Sequence, residues 1–198
     1  EEKFHKLTED EIIFDAANII RINKDILFLV SNTGNRKAAK WLQRILGETY
    51  NVHVTQAYRS SHLDSTILPL NSKTVLLNGA RVNEHNCPTL FEKWDKIYFS
   101  DVVPLPAAEL TYFKEIRLPA YKQLNDLKVA SNLGHISSPW AGLNVLSIDS
   151  ETVFVHDLQK PLIRELERHK FTVVPVRMRH CYSMLGGLHC ATLDLVRT

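Results

Sequence analysis

The sequence predicts an α/β protein assembled from a repeated strand–turn–strand–helix–strand unit. Two observations carry the prediction. Short strand-like runs come in pairs around the polar turns Asn23-Lys24-Asp25, Asn71-Ser72-Lys73 and Asp149-Ser150-Glu151. Each pair is followed by a helix-like segment and then by a third strand-like run. The unit is roughly 40 residues long, within the range of repeat architectures.

In the first copy, residues 18–21 and 26–31 read as strands. Residues 36–46 read as a helix, with Ala39, Leu42, Ile45 and Leu46 near helical spacing, and the alternating run 51–55 reads as a strand. In the second copy, 65–70 and 74–78 are strands, 88–94 a short helix and 96–100 a strand. In the third, 143–148 and 152–156 are strands, 160–169 a helix and 172–176 a strand. A fourth copy begins at Gly187. Residues 101–136 break the pattern with Pro104, Pro106 and Pro119, and read as a long excursion with some helix near 118–127. Excursions of that length are uncommon and often functional.

Composition narrows the classes. The 198 residues carry 24 Lys and Arg against 22 Asp and Glu, a net charge of +2, with no long basic tract that would predict nucleic-acid binding. The longest apolar runs, 26–30 and 74–77, are too short to span a bilayer, and the polar opening has no apolar leader core. The three cysteines Cys87, Cys181 and Cys190 are too few and too scattered for a disulfide framework, which predicts a reducing, cytoplasmic setting. Their spacing matches no structural zinc site. The charged opening and the stop inside the strand-like run 194–198 predict a fragment of a longer chain.

The chemistry gathers in three segments: Phe14-Asp15-Ala16-Ala17-Asn18, Ser61-His62-Leu63-Asp64-Ser65-Thr66 and Gly186-Gly187-Leu188-His189-Cys190-Ala191-Thr192. A Gly-Gly pair lets backbone turn sharply and approach a ligand, so Cys190 can face a pocket. Only the thiolate is a good nucleophile, and an imidazole beside it can generate one. His62 is the best partner. It is expected to open a strand, with Asp64 two residues on and therefore on the same face. Asp15 precedes a strand at the place in its repeat that His62 occupies in the next. Each residue also has an ordinary alternative: Cys190 as a small buried hydrophobe, His62 as a surface side chain, Asp15 as a helix N-cap. Cys87 and Cys181 look inert, and Arg177, Arg179 and His180 read as a solvated edge.

Together with Asn78 to Arg81 and Ser137-Ser138-Pro139-Trp140 followed by Leu143-Asn144-Val145-Leu146, these segments resemble the arginine amidinotransferase family, in collinear order over nearly the whole chain. The resemblance implies a pentein-type fold, a five-fold pseudosymmetric α/β propeller of ββαβ modules. Residues 1–198 would then be one partial domain of about three modules plus the start of another, lacking the N-terminal modules. It further implies Cys190 as nucleophile, His62 as general acid/base and Asp15 as the carboxylate that orients it. Asp64 would bind the donor, and Arg81 with Ser138 would hold its α-carboxylate. The implied partners are an L-arginine donor and an amine acceptor, without metal or organic cofactor, nucleic acid or membrane, and a homodimer is open to it. Glycine-using members carry a larger apolar residue before the histidine. Ser61 departs from that and is similar to the toxin-biosynthesis members of the saxitoxin and cylindrospermopsin pathways, and the segments Val30-Ser31-Asn32-Thr33-Gly34-Asn35 and Trp140-Ala141-Gly142-Leu143-Asn144 resemble the saxitoxin type above all. Arg59 is read as solvent-facing. Two other readings stay open: a pentein hydrolase such as an arginine or dimethylarginine deiminase, and an inactive scaffold.

Overall fold

A computed structural model describes residues 7–104, 139–178 and 186–193. The chain divides into two units, Glu1–Ser100 and Asp101–Thr198.

The first unit holds two modules. Module one opens with a 3-10 turn, Ala16–Asn18, followed by β1 (Ile19–Ile22), β2 (Asp25–Leu29), α1 (Arg36–Leu46) and β3 (Asn51–Thr55). The sheet order is β1-β2-β3, with β1 antiparallel and β3 parallel to β2. A parallel pair needs a crossover, and α1 supplies it. Ile22 pairs with Asp25, so the hairpin turn is Asn23-Lys24, and Asn23 takes the positive φ (55°) that this turn demands. Helix α1 starts where the Asn35 side chain accepts the Ala38 amide at 2.9 Å, and it ends at Gly47, whose φ is 57°. Central strand β2 is covered on both faces. Phe28 packs on Ala38 and Ala39 of α1, while Leu27 and Leu29 point the other way into a core shared with Ile67, Val75, Leu77 and Phe91 of module two. Burying a side chain such as Phe28 contributes about 2–3 kcal/mol.

Module two has β4 (Ile67–Pro69), β5 (Thr74–Asn78) and β6 (Asp95–Phe99), in that order, with the same antiparallel and parallel pairings. The helix expected over 88–94 is reduced to a single 3-10 turn, Thr89–Phe91. Turns through Asn83 and Asn86 occupy the preceding residues. Pro88 caps without a side-chain bond, and the segment closes by stacking Phe91 edge-on against Trp94 at 5.2 Å.

The second unit contains module three: a 3-10 segment Pro139–Leu143, β7 (Leu146–Ser147), β8 (Thr152–His156), α2 (Lys160–Arg168) and β9 (Thr172–Val176), in sheet order β7-β8-β9. Strand 143–148 is therefore shorter than expected: the 3-10 segment takes Leu143, and the amides of Asn144 and Val145 bond back to Ala141 O and Leu143 O instead of joining a ladder. Asp149 organises the β7–β8 turn, accepting the amides of Glu151 (2.8 Å) and Thr152 (2.6 Å). A last 3-10 turn, His189–Ala191, stands where the fourth copy was expected to begin. The excursion beyond Pro104, including the helix expected near 118–127, lies outside the described residues. Among the described residues no helix is long and apolar enough to cross a membrane.

Candidate active site

Asp15 does two things at once. Its Oδ1 accepts the amides of Ala17 (2.9 Å) and Asn18 (3.2 Å), capping the 3-10 turn that leads into β1. Its Oδ2 lies 3.2 Å from His62 Nε2. The N-cap reading and the imidazole-orienting reading therefore describe one side chain. A carboxylate oxygen only accepts, so Nε2 carries the proton and Nδ1 is left as the ring nitrogen for chemistry. Both side chains stay more than two-fifths exposed, within reach of a ligand.

The backbone around His62 is fixed on every side. The Ser61 carbonyl accepts from Asn18 Nδ2 (2.9 Å), Ser31 Oγ (3.0 Å) and Thr33 Oγ1 (2.9 Å). The Leu63 amide donates to Ala17 O at 2.9 Å, and Tyr58 donates its hydroxyl to His62 O at 2.9 Å. Thr66 and Ile67 both donate to Leu63 O, so residues 62–66 form a turn and β4 starts only at Ile67. This overturns the expectation that His62 and Asp64 share one strand face: His62 is half-exposed, whereas Asp64 is buried. It also shifts the repeat equivalence. Asp15 stands four residues before Ile19 and His62 five before Ile67, and Ile19 and Ile67 hold matching places opposite Phe28 and Leu77, so Asp15 matches Leu63.

Behind His62 lies a second polar group. Arg81 Nη1 donates to Thr66 Oγ1 (2.8 Å) and Ser60 Oγ (3.3 Å), and its guanidinium carbon lies 5.8 Å from the centre of the Tyr58 ring. Burial pushes the Tyr58 phenol far above its ordinary range. A hydrogen bond with Thr66 and the charge of Arg81 oppose that, and Asp64 adds to it. Tyr58 therefore stays a neutral donor to His62 O. Burial lowers the Arg81 guanidinium from its ordinary value, opposed by Tyr58; the group stays cationic at any working pH.

Cys190 lies in the second unit, in the 3-10 turn His189–Ala191, and it is exposed. Its amide donates to Asn144 Oδ1 at 2.9 Å, and the amides of Leu188 and His189 donate to Asn144 O. The glycines before it are required by close approach. A Cβ on Gly187 would stand 2.6 Å from Asn144 Cβ and 2.9 Å from Ala141 O, and one on Gly186 would stand 2.7 Å from Cys190 Cβ. The exposed thiol on a backbone-fixed turn does not match the alternative of a small buried hydrophobe.

Of the expected site residues, His62 and Asp15 meet directly. Arg81, Ser61 and Asp64 lie in the same unit, and Cys190 stands in the other. Ser138 lies outside the described residues, as do Cys181, Arg179 and His180. Arg177 pairs with Asp157 at 3.2 Å, a surface ion pair. Among the described residues no cluster of His, Cys, Asp and Glu could hold a metal ion. Sequence reasoning assigned no role to Asn18, Tyr58, Thr66 or Asn144. Asn18 and Asn144 stood in the motifs 14–18 and 143–146 and in the strands expected over 18–21 and 143–148, with no role of their own.

The modules, each an antiparallel hairpin joined by a crossover to a parallel third strand, define an α/β protein of the pentein type. No family model matches the chain. Over 194 residues, 98% of this chain and 49% of the other, it is 38% identical to inosamine-phosphate amidinotransferase 1 of Streptomyces griseus. The solved structure of that organism's inosamine-phosphate amidinotransferase superposes with a TM-score of 0.80 at 37% identity, over 97% of this chain and 49% of that one. SxtG, an amidinotransferase of Microseira wollei in the saxitoxin biosynthetic pathway, superposes at 0.75 with 30% identity, over 96% and 47%. The L-arginine:L-lysine amidinotransferase of Pseudomonas savastanoi pv. phaseolicola is 31% identical over 96% of this chain and 46% of its own. The chain is homologous to the amidinotransferases, and it spans about half the length of the curated relatives it matches.

Proposed function

We propose that this chain carries the acid–base pair and the nucleophile of an amidinotransferase that moves the amidino group of L-arginine to a primary amine. The observation that carries the reading is His62 Nε2 held 3.2 Å from Asp15 Oδ2, which dedicates Nδ1 to proton transfer. The guanidinium is planar, cationic and unreactive, and carboxylates such as Asp64 grip it in a bidentate fork. Arg81 and Ser138 take the α-carboxylate. The Cys190 thiolate attacks the guanidinium carbon and forms the C–S bond. The C–N bond to the side-chain nitrogen breaks as Nδ1 of the His62 imidazolium gives its proton to the departing ornithine amine. The acceptor amine then attacks the amidino-cysteine and returns a proton to Nδ1, and the thiolate leaves. The Asp15 carboxylate, facing Nε2–H, balances the charge of the imidazolium. Acid–base assistance of this kind is worth roughly two to four orders of magnitude, and ping-pong kinetics follow from the shared intermediate.

In this reading residues 1–198 are one partial pentein domain. Ser61, small and next to His62, leaves room for an acceptor larger than glycine, as in the synthesis of a guanidine-bearing natural product or toxin. The place of SxtG in the saxitoxin biosynthetic pathway, and the inosamine-phosphate amidinotransferases, support that class of acceptor. A cytoplasmic location and a homodimer complete the proposal. The test is incubation with L-arginine labelled at the guanidino carbon, with and without a primary amine. Ornithine with label on the amine is the expected result. Labelled citrulline instead would show a hydrolase, and unchanged arginine would overturn the enzymatic reading.

A further inference from the structure

One position recurs in the three modules. Asn18 directly precedes Ile19, which pairs with Phe28; Thr66 directly precedes Ile67, which pairs with Leu77; and Asn144 stands two before Leu146, which pairs with Phe154. Because Phe28 and Leu77 are the fourth residues of their strands and Phe154 the third, the three residues hold the same place in register. All three are polar and buried, with exposures of 0%, 0% and 3%. Burying a polar side chain costs stability unless its hydrogen bonds are made, and each of these makes them to a segment of the candidate site. Asn18 holds the carbonyl of Ser61, Thr66 holds Arg81, and Asn144 holds the amide of Cys190.

Asn18 is the most fully engaged. Its Nδ2 has two hydrogens to share among four acceptors within reach: Ser61 O (2.9 Å), Ser31 Oγ (3.0 Å), Thr33 Oγ1 (3.1 Å) and, longest, Leu29 O (3.4 Å). Its Oδ1 accepts the amide of Asp15 at 2.9 Å. One rigid amide thus grips the backbone of Asp15 on one side and the residue before His62 on the other. We propose that the buried polar residue opening each module is a positioning residue for the candidate site, and that Asn18 in that role sets the distance between Asp15 and His62. The carboxylate and the imidazole are 47 residues apart in the chain. Nothing local fixes their separation, whereas Asn18 and the Leu63 amide on Ala17 O tie both backbones to one turn. The inference rests on the reading of His62 and Asp15 as the acid–base pair; Thr66 bonds Tyr58, whose hydroxyl holds the His62 carbonyl.

The test reads the hydrogen bond itself, independently of turnover. Low-temperature proton NMR of the 198-residue chain is expected to show a downfield His62 Nε2–H resonance, assigned by its disappearance in His62→Gln and Asp15→Asn. Asn18→Ala is expected to abolish or broaden that resonance while the amides of Phe28 and Leu29 remain protected from exchange. Gly34→Ala is the second perturbation. Its Cβ would stand 2.8 Å from Asn18 Cγ, so it displaces the amide without removing it, and the same loss is expected. Thr89→Ala, remote from the pair, should leave the resonance unchanged. Persistence of the resonance at its original position in either folded Asn18→Ala or folded Gly34→Ala would overturn the inference, as would its absence from the unmodified chain. Failure of arginine to label Cys190 would overturn the proposed reaction and leave this result standing.

Discussion

Asn18→Asp is the most informative single substitution in the chain, because it changes one NH2 to one oxygen in a filled site. The new carboxylate oxygen would face the Ser61 carbonyl at 2.9 Å and the Leu29 carbonyl at 3.4 Å with no hydrogen between them. The Ser31 and Thr33 hydroxyls can turn to donate to it, but each then stops donating to Ser61 O, at 3.0 and 2.9 Å. The substitution thus buries a charge and strips donors from a carbonyl. An unsatisfied buried polar group costs about 1–3 kcal/mol, more when charged, and an uncompensated buried charge about 3–5 kcal/mol. Asn18→Ala removes those donations and also the bond that Oδ1 accepts from the Asp15 amide, but it adds no charge and leaves Ser61 O with two hydroxyl donors, so about 2 kcal/mol is expected from a lost buried network. The isosteric change should therefore be the more damaging at neutral pH, by about 1–3 kcal/mol.

The pH dependence adds a second constraint. Burial among carbonyl oxygens disfavours the ionised form, so the introduced carboxyl titrates higher folded than unfolded. Its stabilising state is then present at low pH and lost as pH rises through the folded value. Protonated, it can donate to Ser61 O in place of the amide. Urea unfolding of the two variants across the acidic range tests this. Asn18→Asp should gain stability relative to Asn18→Ala as pH falls. Equal stability of Asn18→Asp and the unmodified chain at neutral pH, or a parallel pH dependence of the two variants, would refute the reasoning.

Three further outcomes are expected. Asp15→Asn keeps an oxygen for the amides of Ala17 and Asn18, so its stability should fall by less than about 1 kcal/mol while arginine-dependent chemistry falls about 10²–10⁴-fold; equal losses of stability and activity would contradict the division of labour between Oδ1 and Oδ2. Gly187→Ala places a Cβ 2.9 Å from the Ala141 carbonyl, which cannot swing aside as a side chain could, and should cost about 1–3 kcal/mol in denaturant unfolding. The Glu151 amide holds the Asp149 carboxyl below its usual range, so the turn's stabilisation is present above the unfolded value and lost as pH falls through the lower folded one; Asp149→Ala should flatten that acid dependence in exchange measurements on β7 and β8.

Legibility in the sequence follows whether a feature is local. Helix α1 was readable because Ala39 and Leu42 keep helical spacing between an Asn cap and Gly47. Strands β3, β5, β8 and β9 were readable because polar turns and alternation bound them. The 88–94 segment misled because its apolar residues suit a helix, yet turns at Asn83 and Asn86 and the Pro88 start leave room for one 3-10 turn. His62-Leu63-Asp64 misled for a different reason. The run looks like a strand edge, but Leu63 spends its amide on Ala17 O and its carbonyl on Thr66 and Ile67, a tertiary choice no local pattern reveals. Asp15 and His62 were legible as residue types in motifs, and their meeting across 47 residues was not. Asn18 was hidden most deeply, since its partners Ser31, Thr33 and Ser61 gather only in the folded module.

The most direct measurement is intact-mass spectrometry of the 198-residue chain after mixing with L-arginine and no acceptor, followed by peptide mapping. The account predicts a mass gain of one amidino group on Cys190, abolished in Cys190→Ala and slowed in His62→Gln. An unmodified Cys190, or an adduct that persists in Cys190→Ala, would contradict it.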